Sequence, residues 1–211
     1  GIAMNPILHW DAGIGWIENP PPFVYDQTYM NRYAALAATP IGRRIIVGRL
    51  RLVERYVSPT RGGLLDVGIG SGAFLEAAAA RGWTVYGDDV NPAAHEWLED
   101  HGYTWPGWPV AVVTYWDSLE HIRSPWEHVL STGARWVFIS TPVYSGPDEV
   151  RRSKHCKPGE HLWYFSPGGL IRWMGALSYQ LRLQSDWESS PTIGRESIGT
   201  FVFEKTACNE S

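Results

Sequence analysis

The stretch Leu64-Leu65-Asp66-Val67-Gly68-Ile69-Gly70-Ser71-Gly72-Ala73-Phe74 decides the fold. A short apolar run ends in glycines, and an alanine-rich run follows at once. Residues 63–68 therefore predict a strand, and residues 72–81 a helix with Phe74, Leu75, Ala78 and Ala79 facing inward. The glycines permit positive φ and let a ligand approach without a Cβ in the way. The helix start behind them offers free N–H groups. A carboxylate, Asp88 or Asp89, follows at the end of the next strand. There an acid can reach a ribose hydroxyl.

Two cofactor classes fit this pattern. Gly68, Gly70 and Ala73 satisfy the dinucleotide fingerprint G-x-G-x-x-G/A. Asp66 separates the classes, because a carboxylate before the first glycine would repel a pyrophosphate. The same carboxylate suits a ligand with an ammonium and a sulfonium, and S-adenosylmethionine carries both. The segment 64–74 resembles motif I of the class I S-adenosylmethionine-dependent methyltransferases. Tyr86-Gly87-Asp88-Asp89-Val90-Asn91-Pro92 resembles their motif II, with Asp89 in the ribose-binding place and Asp88 where an apolar residue is usual.

A second informative segment is Asp117-Ser118-Leu119-Glu120-His121. Asp117, Glu120 and His121 are spaced i, i+3, i+4, so one helical turn would set all three on one side. Two carboxylates and an imidazole there suit a divalent cation. The segment resembles x-x-L-E-H of the ubiquinone-making methyltransferases and E-x-x-E-H of the small-RNA 2′-O-methyltransferases, with Asp117 in place of glutamate. Glu160-His161-Leu162-Trp163-Tyr164-Phe165-Ser166 resembles the segment whose histidine completes the metal site of the RNA-methylating group. The resemblance implies a metal site for Mg²⁺, Mn²⁺, Fe²⁺ or Zn²⁺ on Asp117, Glu120, His121 and His161. Without a metal, His121 would act as general base beside Glu120.

Outward from these motifs the chain alternates. Strands are expected over 83–87, 110–116 and 135–141, and helices over 92–101, 124–132 and 166–177. Residues 179–185 and 199–205 read as a closing strand pair. Upstream, residues 29–38 and 41–56 are helical, and residues 4–22 form an irregular Trp-, Gly- and Pro-rich lead-in. This is an α/β pattern with helices on both faces of a mostly parallel sheet. The resemblance implies a Rossmann-like seven-stranded mixed sheet in the order 3-2-1-4-5-7-6. The expected division is a lead-in and helical cap over 1–60, a cofactor-binding domain over 61–207 and a tail at 208–211.

Composition bounds the partners. The 211 residues suit one core. A net charge of -4 argues against duplex DNA, which is gripped by broad basic surfaces. Two local basic clusters, Arg43/Arg44/Arg49/Arg51/Arg55 and Arg151/Arg152/Lys154/Lys157, read first as solvated faces. The 12 Trp fill a core or line an aromatic cleft. Cys156 and Cys208 suggest no disulfide framework, so a cytoplasmic setting is expected. No secretory signal or membrane-length apolar run is visible, and residues 1–3, ahead of Met4, read as an addition.

The function expected is an S-adenosylmethionine-dependent methyltransferase that O-methylates a small hydroxylated molecule or RNA. Asp66, Gly68, Gly70 and Gly72 would hold the methionine end, Asp89 the ribose, and Tyr115 and Trp116 would flank the cofactor. The alternatives are a non-catalytic S-adenosylmethionine-binding protein and a nicotinamide-dependent oxidoreductase. The closing strand pair and Asp66 argue against the oxidoreductase.

Overall fold

A computed structural model describes residues 5–206. The expected tail, Cys208 and residues 1–3 lie outside the described residues. The chain opens with β1 (Ile7–Asp11) and β2 (Ile14–Glu18), an antiparallel hairpin. Its turn residues Ala12 and Gly13 both have positive φ, 48° and 82°. That backbone matches the right-handed twist of the strands. This corrects the irregular lead-in. The turn pair is Ala-Gly rather than the usual Asn-Gly, so the hairpin signal was weak.

Two helices follow. The Asp26 side chain accepts from the Tyr29 amide and starts α1 (Gln27–Ala37). Thr39 Oγ1 accepts from the Gly42 amide, and Pro40 opens α2 (Pro40–Tyr56). Then come β3 (Leu64–Val67), α3 (Ala73–Ala80), β4 (Val85–Asp88), α4 (Pro92–His101) and β5 (Val112–Trp116). The remainder is α5 (Pro125–Ser131), β6 (Trp136–Pro142), α6 (Pro147–Arg152), β7 (Trp163–Phe165), α7 (Pro167–Ala176), β8 (Tyr179–Ser185) and β9 (Ile198–Lys205).

The main sheet has six strands in the order β4-β3-β5-β6-β9-β8. Pairs from β4 to β6 are parallel, and β9 runs antiparallel to both neighbours. Among the described residues the sheet therefore has one strand fewer than the seven expected, and no third strand lies beyond β4. In that place stands a single parallel bridge, Gly87–Thr104. The Gly87 amide donates to Tyr103 O at 2.7 Å, and the Trp105 amide donates to Gly87 O at 3.2 Å. Pro106, which has no N–H, follows at once and stops the ladder.

Strand alternation divides the core between the two faces. Leu64, Val112, Trp116 and Phe138 pack with Leu50, Val53, Leu75 and Leu98 of α2, α3 and α4. Leu65, Val113, Tyr115, Ile139 and Phe201 pack with Val129, Leu170 and Met174 of α5 and α7. A second sheet, β1-β2-β7, joins the chain start to the segment after His161. Residues 7–18 are therefore tied into the same fold by Ile14–Phe165 and Trp16–Trp163 pairing. Among the described residues no helix is long and apolar enough to cross a membrane.

Candidate active site

The carboxyl ends of β3, β4 and β5 open onto a cleft of about 1340 Å³. Gly68, Gly70 and Gly72 have φ of 75°, 59° and 80°. A Cβ on Gly68 would strike Ser118, and one on Gly72 would strike the Trp97 indole, so the tight loop needs glycine at both. Asp66 lies beneath the loop and accepts from Thr114 Oγ1 at 2.6 Å. Burial pushes its carboxyl up to about 7. Asp89 accepts from the Asn91 amide at 2.9 Å, and burial raises it too. Both carboxylates and the loop line the cleft. They fit a ligand that brings an ammonium to Asp66 and hydroxyls to Asp89. Asp88 also lines the cleft, but its Oδ2 faces His128 Nε2 at 3.0 Å.

Alternation along β5 sends the Tyr115 and Trp116 side chains to opposite faces, so of the two only the Trp116 ring lines the cleft. Trp116 lines the cleft against Phe74, with ring centroids 5.6 Å apart. Tyr115 points to the opposite core and bonds His128 Nδ1 through its hydroxyl at 2.8 Å.

Glu120 and His121 sit on one 3-10 turn, Leu119–His121. The Leu162 amide donates to the Glu120 carbonyl at 2.8 Å, which brings the His161 segment alongside. One ligand atom from each of Glu120, His121 and His161 falls within 4.8 Å of the others. The two imidazole centroids are 4.7 Å apart. Both Glu120 carboxylate oxygens are buried and lack a hydrogen-bond partner among the described residues. Burial, then the charge of Asp117, pushes the Glu120 carboxyl up to about 8. Burial pulls His121 down to about 4 and His161 lower still. A buried carboxyl group beside two neutral imidazoles is a donor set that suits a divalent cation, which would hold the carboxyl in its ionised form.

Asp117 does not join this group. Its backbone is left-handed, φ 58°, and this turns the side chain away. Oδ2 takes Arg49 Nη2 at 2.7 Å and Arg195 Nη2 at 3.0 Å. Burial alone would raise this carboxyl, but Arg195 and Arg49 hold it well below the usual range. The buried Glu188 accepts from Arg49 Nε at 2.9 Å and pairs with Arg195. The Arg49 guanidinium also lies 4.9 Å over the Trp116 ring. The expected i, i+3, i+4 cluster fails because the segment leaves β5 through a left-handed residue instead of a continuous helix.

Three tyrosines that the sequence reading passed over cover the cleft. Tyr29 and Tyr33, four residues apart, share one face of α1, and Tyr25 directly precedes its capping residue Asp26. Tyr25 and His121 Nδ1 share a hydrogen bond of 3.0 Å. The Tyr29 hydroxyl donates to Glu160 at 3.1 Å, and the Tyr33 ring lies over Gly70. Asn91 Nδ2 holds the strap down by donating to the Asp26 carbonyl at 2.9 Å. Of the basic clusters, Arg49 alone enters the cleft, while Arg43, Arg44, Arg51, Arg55, Arg151 and Arg152 are exposed.

Residues 37–184, well over half of the chain, match the family model described as a methyltransferase domain. No curated protein matches the sequence. Among solved structures, magnesium protoporphyrin IX methyltransferase from Synechocystis PCC 6803, with S-adenosylhomocysteine bound, is 14% identical with TM-score 0.61; the match covers 85% of this chain and 95% of that one. The 1,6-didemethyltoxoflavin-N1-methyltransferase of Burkholderia thailandensis is 14% identical with TM-score 0.57, covering 95% and 99%. Small RNA methyltransferase HEN1 is 16% identical with TM-score 0.52, covering 80% of this chain and 26% of that one. The chain belongs to the methyltransferase-domain family and has the class I S-adenosylmethionine-dependent methyltransferase fold.

Proposed function

We propose that the protein transfers a methyl group from S-adenosylmethionine to a hydroxyl of a small, largely apolar acceptor, with a divalent cation held by Glu120, His121 and His161. The observation that carries this reading is the convergence of those three side chains in the cleft wall, with both Glu120 oxygens buried and unpartnered. Asp66 and the amides around Gly68–Gly72 orient the methionine end, and Asp89 orients the ribose. A cation there supplies Lewis acidity toward the acceptor oxygen. The methyl donor is already activated, so the remaining work of the chain is alignment and exclusion of water. The strap of Tyr25, Tyr29 and Tyr33 excludes water by covering the cleft.

The acceptor side of the cleft favours a small molecule. Its mouth carries the exposed apolar side chains Phe23, Val24, Leu36 and Ile41. Of the three arginines that line it, Arg49 and Arg195 are already paired with Asp117 and Glu188, and Arg123 is exposed. The paired two offer little to a phosphate backbone. RNA is the second reading, favoured by the likeness to HEN1.

The test has two parts. Calorimetric titration of S-adenosylhomocysteine should show saturable binding, and no binding would overturn the cofactor assignment. Mn²⁺ titration followed by EPR should show one tight site that Glu120→Gln removes while S-adenosylhomocysteine still binds. If chelation leaves turnover intact and His121→Ala abolishes it, His121 is a general base without metal.

A further inference from the structure

Of the 12 Trp, only Trp116 lines the main cleft. Four others, Trp16, Trp126, Trp163 and Trp173, crowd a separate pocket of about 280 Å³. Alternation builds it. Trp16 and Trp163 are cross-strand partners on one face of the β1-β2-β7 sheet, and Ile17 and Tyr164 occupy the other face. α5 brings Trp126 and α7 brings Trp173 over that face. The rings are held in place before any ligand arrives. Trp163 Nε1 donates to the Ile122 carbonyl at 2.9 Å, and His9 stacks on Trp16 with centroids 5.2 Å apart.

The walls discriminate between ligands. Trp126 and Trp163 meet at 85° with centroids 5.2 Å apart, so they form a corner rather than a flat platform. Among the described residues no side-chain hydroxyl or amide lines the pocket, and the one charged lining residue is the exposed Asp11. Arg172, nearby, donates to the Ala12 carbonyl and is thereby engaged with the hairpin turn. A sugar would find a flat stacking wall missing and few partners for its hydroxyls. A cation without hydrogen-bond donors matches the aromatic corner and the single carboxylate.

We propose that this tryptophan pocket binds a quaternary or trimethylated ammonium group, separately from the methyl-transfer cleft. Its rings attract the cation by their quadrupoles, and Asp11 supplies the countercharge at the rim. The pocket floor touches the reaction centre through one hydrogen bond, from Trp163 to the residue after His121.

The test is an NMR titration of the tryptophan indole signals in the full chain. The probes are choline, a trimethyllysine peptide and 3,3-dimethylbutanol, the neutral carbon isostere of choline. Choline is expected to saturate, with the neutral isostere about tenfold weaker. Asp11→Asn, an exposed change, should weaken choline severalfold, and Trp126→Ala should abolish binding. Unchanged S-adenosylhomocysteine binding in both variants shows that they fold. A tighter peptide assigns the group to a protein tail, and tighter choline assigns it to a small molecule. Equal binding of choline and its isostere, or no saturable binding of either cation by the wild-type protein, would overturn the proposal.

Discussion

At the residue scale, the cofactor site proposed around Asp66 implies a pH dependence. Burial lifts the Asp66 carboxyl to about 7, against about 3.9 in an unfolded chain. The folded state therefore binds this proton more tightly. The resulting stability is fully present below about pH 4 and is lost as pH rises through about 7. An ammonium-bearing ligand prefers the carboxylate. Affinity for S-adenosylhomocysteine should accordingly rise as pH climbs from 5.5 toward about 7.5, with a proton released on binding near neutrality. Calorimetry in buffers of different ionisation heat measures that proton, and Asp66→Asn should remove the buffer dependence. Asp89→Ala should cost about 1.5–3 kcal/mol of affinity, roughly ten- to a hundredfold. An unchanged dissociation constant would place the ribose elsewhere.

These residues differ in how legible they were. Asp66, the glycines and Asp89 sit within one strand–loop–helix–strand unit, so local spacing placed them. Glu120 and His161 are far apart in sequence, and only the family resemblance joined them. Arg195 and Glu188 lie on the connection between β8 and β9, where no periodicity or motif announces a role. Their function as partners of Arg49 exists only in the folded chain.

At the element scale, the half-buried cluster of Arg49, Asp117 and Arg195 around the fully buried Glu188 fastens α2 to the end of β5 and to the β8–β9 connection. Removing one partner strands opposite charge inside the protein. Arg49→Ala should lower stability by about 3–5 kcal/mol, read as a fall in the urea midpoint. Arg43→Ala, on the exposed side of the same helix, should stay within about 0.5 kcal/mol. The helices were legible where local chemistry marks both ends. Asn91-Pro92 and Gly102 bound α4, and the observed helix has those limits. Ser166-Pro167 did the same for the start of α7. The N-terminal hairpin was not legible, because its stability comes from β7, some 150 residues away by chain position. Likewise, alternation within β5 could have shown that Tyr115 and Trp116 face opposite ways.

At the scale of the whole molecule, the cleft is closed by a strap from one end of the chain and by the two-histidine wall from the other half. The strap's anchors, Tyr25 to His121, Tyr29 to Glu160 and Asn91 to Asp26, all cross the cleft. Tyr29→Phe should leave the fold intact and speed the dissociation of S-adenosylhomocysteine, which stopped-flow displacement would measure.

The missing third strand has its own consequence. A six-stranded sheet ends on two rows of backbone that could recruit a neighbour's strand. At β4 the segment 103–105 already occupies the Gly87 amide and carbonyl. At β8 the strand is interrupted between Leu181 and Leu183 and presents Gln180, Arg182 and Gln184 outward. One margin is plugged and the other is bent and polar, so both resist edge-to-edge polymerisation. Arg182→Val would weaken that defence, and light scattering on heating should then show aggregation before the wild-type protein aggregates.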